Sequence, residues 1–328
     1  MTPVRHAIAF AFLLLAAMFG AAAQPAGELR RIGYLDQGSA DGNAAYVDAL
    51  RQGLRERGWI EGRNIAIETR FAEGRTEQLP SLAATLVERK VDVIVTWSTP
   101  AALAAKRATA TIPIVIGFAA DPVGSKIVSS LSHPGGNITG WTHQGLELRA
   151  KYLELLKEVV PSAARIGVLW NPANQVHKPS LKVIEAAAER LQVRLELAGV
   201  QAPKDLEPTF AALAAKHVGG IVVFPDGMFV AQMPAILALA ARYRLPAMYG
   251  IPEYPEAGGL MSYGADLAQM QREFGASFID KILKGAKPGD LAVEQPTKFT
   301  LVLNLKAARD LGLTLPDSLR VLADHIIE

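Results

Sequence analysis

The sequence runs twice through the same order of strands and helices, and this repetition limits the folds available to it. Three short apolar segments recur in one order at offsets of 134, 128 and 133 residues. They are Arg31-Ile32-Gly33-Tyr34-Leu35 with Arg165-Ile166-Gly167-Val168-Leu169, Val93-Ile94-Val95-Thr96 with Ile221-Val222-Val223-Phe224, and Ile112-Pro113-Ile114 with Leu245-Pro246-Ala247. Because the three offsets are nearly equal, the sequence predicts two similar lobes that arose by duplication.

Each predicted lobe alternates strands with short amphipathic helices. The strand from Val91 to Thr96 is apolar without a break over Val93 to Val95, which is typical of a strand buried on both faces of a parallel sheet. Strand–helix alternation implies right-handed crossovers and an open parallel sheet. The predicted fold class is therefore α/β, with two Rossmann-like lobes.

The boundary between the lobes falls at the run from Gly135 to Gly140, whose Gly and Asn residues permit a positive φ. Further crossings are expected near Tyr263 and Glu294, so that several strands form the hinge. The first lobe is predicted to comprise residues 24–140 and about 264–293, and the second 141–263 and about 294–328. A long helix is expected over 267–284.

The N-terminus has the features of a secretory signal peptide. Arg5 and His6 precede an apolar run from Ala7 to Phe19, and Ala21-Ala22-Ala23 supplies the small residues that signal peptidase needs. We expect cleavage after Ala23, which would leave a soluble, largely monomeric periplasmic protein with no membrane insertion. The alternative is an uncleaved membrane anchor, although a span needs roughly 20 apolar residues.

The composition excludes several classes of protein. The 328-residue chain has no cysteine, which removes disulfides, thiolate chemistry and a lipoprotein anchor. Its formal net charge of +2 is too small for a nucleic-acid binder. A Gly-x-Ser-x-Gly elbow, a Walker A loop, a Gly-x-Gly-x-x-Gly turn after a strand and a His-Glu-x-x-His pair are all missing. The sequence therefore indicates no cofactor, no metal and no catalytic residue.

Ligands of open parallel sheets bind at the carboxyl ends of the strands, so the residues there are the candidates. Asp36 and Gln37 directly follow the first predicted strand, Arg31 to Leu35, and of these two Gln37 is the ligand-binding candidate. The selected ligand-binding candidates are Gln37, Trp97, Ser98, Thr99, Phe118, Asp121, Trp170, Asn171, Asn174, Asp226, Tyr249, Gly250 and Tyr263.

For most of these residues a ligand-binding role and a purely structural role both remain possible. Ser98 and Thr99 stand at a helix start, where free N–H groups suit an anion, but they equally suit an ordinary cap. The strand-end aromatics form either a stacking wall or a lid on the core. Asp226 could accept from a ligand amine, whereas Asp121 could simply cap a helix begun by Pro122. The asparagines are either amide donors or turn formers.

These candidates favour a small, flat or largely apolar ligand that carries a carboxylate, such as an aromatic acid or an amino acid. Ser98 and Thr99 would hold the anion, and Trp97, Trp170 and Tyr249 would stack on a planar group. A sugar is the main rival, because sugars also stack on Trp, but it would require more planar polar side chains than the strand ends supply.

The chain from Arg31 to about Leu319 resembles the ABC transporter substrate-binding protein family that includes the tryptophan/tyrosine-type binding proteins. The resemblance implies a type I periplasmic binding protein fold with a ligand between two lobes. The segments that carry it are Gly58-Trp59-Ile60-Glu61-Gly62, Ile112-Pro113-Ile114-Val115, Asp121-Pro122-Val123-Gly124, Pro134-Gly135-Gly136-Asn137-Ile138-Thr139-Gly140, Ala257-Gly258-Gly259-Leu260 and Leu283-Lys284-Gly285.

Three functions are compatible with these features. The first is a non-catalytic periplasmic receptor that traps a small molecule and delivers it to the membrane permease of an ABC transporter. The second is a sensor, either for a signalling receptor or as the effector domain of a repressor, and the latter would need a DNA-binding helix-turn-helix before Arg31. The third is an exported enzyme, which a turnover assay would separate from a receptor.

Overall fold

The computed structural model describes residues 29–143, 146 and 148–328. The predicted signal peptide, residues 1–23, lies outside the described residues. Within the described part of the chain, no helix has the length and apolar character that a membrane crossing needs.

The first lobe contains a five-stranded parallel sheet in the order β2-β1-β3-β4-β5. Its strands are β1 (Arg30–Asp36), β2 (Ile65–Phe71), β3 (Val93–Trp97), β4 (Ile114–Ala119) and β5 (Ile138–Thr142). Its early helices are α1 (Ala40–Glu56), α2 (Leu79–Glu88) and α3 (Thr99–Ala108). Every residue of β3 is buried, as its unbroken apolar run predicts.

The second lobe contains a seven-stranded sheet in the order β12-β11-β10-β9-β8-β6-β7. Its strands are β6 (Arg165–Trp170), β7 (Arg194–Gly199), β8 (Ile221–Val223), β9 (Ala247–Tyr249), β10 (Met261–Gly264), β11 (Thr300–Asn304) and β12 (His325–Ile327). Its early helices are α4 (Leu148–Val159), α5 (His177–Arg190), α6 (Leu206–Ala215), α7 (Gly227–Ala231), α8 (Met233–Arg242) and α9 (Glu253–Glu256). Only the pair β10–β11 is antiparallel among the described strands.

The two sheets share one topology. The order β7-β6-β8-β9-β10 in the second lobe repeats the order β2-β1-β3-β4-β5 in the first, and β11 and β12 extend the second sheet beyond it. The prediction of two α/β lobes with parallel sheets is confirmed.

The last part of the chain connects the lobes. After β10 the chain forms a helical segment that packs on α1 of the first lobe. This segment consists of α10 (Leu267–Met270), a π-helical turn (Gln271–Gly275) and α11 (Ala276–Leu283). The chain then reaches Glu294, which bridges to Trp141 at the edge of the first sheet, and returns to form β11. Helices α12 (Leu305–Leu311) and α13 (Asp317–Leu322) follow in the second lobe. The exact lobe boundaries stay a prediction.

The local structure differs from the sequence prediction at two places. The long helix predicted over 267–284 contains the π-helical turn, where Gln271 fills the space beside Gly275. The helix expected from Pro122 is a succession of turns instead, because the Asp121 carboxylate accepts from the N–H of Gly124 and Lys126 has a φ of 57°. Asp121 therefore fixes a turn rather than capping a helix.

Candidate functional site

The two lobes are closed on each other along a seam between the end of β1 and the start of α7. A Cβ on Gly227 would lie 3.2 Å from the Cβ of Gln37, and one on Gly38 would lie 3.2 Å from the carbonyl oxygen of Gly227. Across the same seam, the hydroxyl of Tyr46 donates to Glu253 at 2.8 Å. The carboxyl ends of the strands of both sheets therefore face one buried region.

The wall from the first lobe is a run of aromatic rings. The ring of Trp97 stacks on Tyr46 with centroids 4.5 Å apart and on Phe118 at 5.7 Å, and Phe118 stacks on His143 at 4.7 Å. Trp141 meets Trp97 edge-on at 5.4 Å. Trp97 is 1% exposed, and its indole N–H has no acceptor among the described residues. Its stacking partners in this structure are the protein's own rings.

Two residues of this wall have unusual backbone angles. Ser98, directly after β3, has a φ of 129°, and Phe118, the last residue but one of β4, has a φ of 49°. The hydroxyl of Ser98 accepts from the N–H of Ala101, so it serves as the cap of α3, and Thr99 is the buried first residue of that helix. Non-glycine residues at positive φ cost of order 1–3 kcal/mol and cluster at functional sites.

The wall from the second lobe contains a closed network of polar side chains around Asp226. Its carboxylate accepts from the side-chain amides of Asn171 at 3.1 Å and Asn174 at 2.9 Å, and from the N–H of Met228 at 2.9 Å. The amide oxygens of both asparagines accept from nearby backbone N–H groups. Three donors thus already satisfy Asp226, which begins α7 as its N-cap.

A neutral histidine completes that network. The Nδ1 atom of His177 accepts from the N–H of Asn171 at 2.9 Å, so it carries no proton, and Nε2 lies 3.2 Å from the carbonyl oxygen of Pro225, to which it donates. Burial, opposed by Asp226, lowers the pKa of His177 to about 4. This tautomer fixes the loop between β8 and α7 without adding a positive charge.

Arg149, in the same lobe, differs from Asp226 in having no such hydrogen-bond partners among the described residues. It is 0% exposed, yet all three of its guanidinium nitrogens lack an acceptor among the described residues. The guanidinium lies over the rings of Phe224, at 4.6 Å, and Tyr152, at 5.3 Å. Burial lowers the pKa of Arg149, and the Tyr152 phenol partly offsets that effect. Arg149 nevertheless stays charged, because an arginine is not deprotonated in proteins. Such a cation requires an anion that the described residues do not supply.

Other unpartnered groups surround Arg149. Both ring nitrogens of His143 and the hydroxyl of Tyr152 are buried without a hydrogen bond among the described residues. Burial, reinforced by Arg149, lowers the pKa of His143 to about 3, so the ring is neutral. In the same described part of the chain, no three His, Asp or Glu residues are arranged to hold a metal ion. The arrangement is suited to binding an anionic group, with Arg149 as its counter-ion.

The remaining sequence-predicted residues lie at varied distances from this centre. A Cβ on Gly250 would lie 2.8 Å from the hydroxyl of Tyr152, which places Gly250 beside Arg149 and Tyr152. Tyr263 packs on Phe299 at 5.9 Å and interacts electrostatically with Tyr152.

Three further candidates differ in how far they reach the seam. The partly buried Trp170 has an indole N–H without a partner among the described residues. Tyr249 instead stacks on Tyr254 at 4.2 Å inside the core, and Asp121 lies in its turn, so the structure does not bring these two to Arg149.

Sequence reasoning missed Arg149, His143, Tyr152 and His177. The signal for Arg149 was present, because Arg149, Tyr152, Leu156 and Val159 recur at helical spacing and all are buried. A cation on the apolar face of a helix is rarely buried without a partner. The histidines carried no comparable signal, since His177 is held by Asn171 and Pro225 and His143 stacks on Phe118, contacts that only the folded chain brings together.

Solved structures and curated relatives match this fold over most of the chain. A conserved domain protein from Vibrio cholerae has a TM-score of 0.85 at 28% identity and covers 91% of this chain and 100% of its own. An ABC domain from Streptococcus pneumonia in complex with L-Trp has a TM-score of 0.83 at 27% identity and covers 92% and 100%. A tyrosine-binding protein of Clostridioides difficile is 29% identical over 251 residues, 76% of this chain and 72% of that protein.

A family model described as ABC transporter substrate binding protein matches residues 35–327. That range includes both sheets except for the first residues of β1, and all the residues around Arg149. The two lobes and the seam between them have the architecture of type I periplasmic binding proteins. The chain belongs to the ABC transporter substrate-binding protein family.

Proposed function

We propose that this protein is the periplasmic receptor of an ABC importer and that it closes its lobes on a small carboxylate-bearing molecule with a flat apolar part. The observation that carries the proposal is Arg149, a fully buried guanidinium with three unpartnered nitrogens. A planar guanidinium binds a carboxylate through two parallel hydrogen bonds, and such charge-assisted bonds are about twice as strong as neutral ones.

The residues around Arg149 support the proposal that the ligand also has a flat apolar part. Phe224 and Tyr152 place apolar ring surface beside the guanidinium, and the neutral His143 and the Tyr152 hydroxyl add polar groups without a competing charge. A flat apolar group attached to the carboxylate suits such a wall. The ligands named for two relatives, tyrosine and L-Trp, have this chemistry. The signal peptide predicted for residues 1–23 supports the periplasmic location.

Native mass spectrometry of protein purified from the periplasm tests the proposal directly. We expect a co-purified small carboxylate. Calorimetry then compares that acid with its primary amide, which keeps the shape and loses the charge. The acid should bind at least about tenfold more tightly, which corresponds to about 1.4 kcal/mol. Equal binding of acid and amide would contradict the anion site.

Cellular uptake tests the importer role separately. Cells that lack the protein should lose high-affinity uptake of the labelled acid and regain it with the wild-type protein. If uptake is unchanged while binding is tight, the protein is a sensor for the same ligand rather than the receptor of an importer.

A further inference from the structure

Asp36 is a second buried group in the seam whose hydrogen bonding is incomplete. It ends β1, beside Trp97 at the end of β3, and it is 0% exposed. Its Oδ2 atom accepts from the N–H of Gly38 at 2.8 Å, and the Gln37 N–H and the Asn43 side-chain amide lie close enough to lower its pKa, but Oδ1 makes no hydrogen bond of ordinary geometry among the described residues. A buried carboxylate with an unsatisfied oxygen is unfavourable unless a proton or a cation reaches it.

The free oxygen of Asp36 points to the boundary between the lobes. A Cβ on Gly227 would lie 3.5 Å from Oδ1 of Asp36 and 3.5 Å from Oε1 of Gln37, so both oxygens lie beside the same point of the second lobe. The amide nitrogen of Gln37 is engaged by Thr76 at 2.7 Å, which leaves its oxygen as a second acceptor without a partner. Two acceptor oxygens therefore meet where the lobes close.

The charged groups around Asp36 do not neutralise it. The titratable groups that interact with it are Tyr34, on its own strand, and Asp226, from the facing lobe, and both are acidic. Burial raises the pKa of Asp36 to about 8, and the proximity of Asp226 adds to that rise. Among the described residues Asp36 forms no ion pair, and Arg149 forms none either.

We propose that Asp36 is a specificity-determining residue whose carboxylate binds a cationic nitrogen of the ligand when the lobes close. The inference rests on the proposed function, in which Arg149 binds the carboxylate of that ligand. Asp226 interacts with both Asp36 and His177, and His177 interacts with Arg149, so one buried region contains an acid and a base that do not pair with each other. A zwitterion between them satisfies both. Gln37 supplies a further acceptor for the nitrogen's hydrogens.

This assignment differs from the sequence-based expectation that Asp226 accepts the ligand amine. The Asp226 carboxylate already accepts from Asn171, Asn174 and the N–H of Met228. One oxygen of the Asp36 carboxylate has no hydrogen bond of ordinary geometry within the described part of the chain, whereas the hydrogen bonds of Asp226 stabilise the loop between β8 and α7. A ligand ammonium is therefore better matched by Asp36.

Three sets of probes test the proposal on the wild-type protein. The first set is L-tyrosine, L-tryptophan and the other common L-amino acids, the second is their deamino acids, and the third is the corresponding amines without a carboxylate. Thermal shift selects the binding members and calorimetry measures their dissociation constants. We expect an amino acid to bind at least tenfold more tightly than its deamino acid.

The variant Asp36→Asn tests the residue, since it removes the charge and keeps the shape. It should weaken binding of the amino acid at least tenfold and leave binding of the deamino acid within about twofold. Asp48→Asn, at an exposed position of α1 that pairs with Arg51, is the matched control and should change neither. Should Asp36→Asn fail to fold, the wild-type comparison of amino acid and deamino acid decides alone.

The outcomes separate this proposal from the proposed function. If deamino acids bind as tightly as amino acids, or if Asp36→Asn weakens both equally, then Asp36 does not recognise a cation and the carboxylate site at Arg149 still stands. In Glu253→Gln protein, which lacks the other carboxylate of the seam whose pKa burial raises, a deamino acid whose binding still tightens as the pH falls would show that Asp36 takes up a proton instead. If no probe with a carboxylate binds, both proposals are wrong.

Discussion

Replacing Arg149 by methionine separates its role in binding from any role in folding. Methionine has a similar length and no charge, and its flexible side chain can fill the space between Phe224 and Tyr152. The prediction is a large loss of ligand affinity without a loss of stability in the ligand-free protein. A residue that mainly holds the fold together would show the opposite.

The magnitudes follow from the contacts. Hydrogen bonds to charged groups contribute about 1.5–3 kcal/mol each, so losing both bonds to a carboxylate costs about 3–6 kcal/mol, which raises the dissociation constant roughly 100- to 10,000-fold. In the ligand-free protein the variant removes a buried cation whose desolvation costs several kcal/mol. It also loses two cation–π contacts, worth about 0.5–2 kcal/mol each. The thermal midpoint should therefore stay level or rise.

Calorimetry with L-tyrosine and L-tryptophan as probes gives the affinities, and scanning calorimetry without ligand gives the thermal midpoints. Lys151→Met is the matched control, because Lys151 lies on the same helix, exposed and paired with Glu154. It should leave both measurements unchanged. Arg149→Met protein that binds within about threefold of wild type, or that melts markedly earlier, would refute the assignment of Arg149.

Three further predictions concern pH, backbone and core. Burial raises the pKa of Glu253 to about 7 in the closed molecule, so closure binds a proton, and affinity should be about tenfold higher near pH 5.5 than near pH 7.5. Glu253→Gln should flatten that profile, and an unchanged slope would mean that Glu253 does not titrate on closing. Gly140→Ala should lower the free energy of unfolding by more than about 2 kcal/mol, because φ is 138° and the new methyl would overlap the Ile116 carbonyl; urea denaturation measures it. Trp97→Ala should cost about 3–5 kcal/mol in the same assay, because its ring packs in the core, and a loss below about 1 kcal/mol would contradict that placement.

The repeat in the sequence was enough to predict both lobes, because each strand–helix unit carries its own periodicity. Residues 31–35 and 165–169 become the equivalent strands β1 and β6. The extension of the second sheet by an antiparallel strand was not predictable from the repeat, because β11 has no counterpart in the first lobe. The π-helical turn after Met270 was not predictable either; its Gln271 side chain accepts a hydrogen bond from the indole N–H of Trp141, which is 130 residues away in the sequence.

The position of the candidate site was predictable from the sequence, but the roles of its individual side chains were not. Strand-end reasoning found Asn171, Asn174 and Asp226, which the structure joins in one network. It could not tell which of these groups satisfy each other, and so it assigned the ligand amine to Asp226. That Arg149 and Asp36 are buried with atoms that have no partner among the described residues becomes visible only in the folded protein, where both side chains are 0% exposed.

The helical segment 267–283 covers one face of α1, so the packing of α1 cannot be completed until that segment has been synthesised. Arg272 pairs with Glu56 across 216 residues of sequence, and its carbonyl lies so close to Gly53 that no side chain fits there. Until residue 283 has been made, one face of α1 therefore has no cover. The first lobe must wait for nearly the whole chain, and contacts of such long range fold slowly. If the chain is exported unfolded through a membrane, as the proposed periplasmic location implies, that delay would keep the first lobe unfinished until export is almost complete.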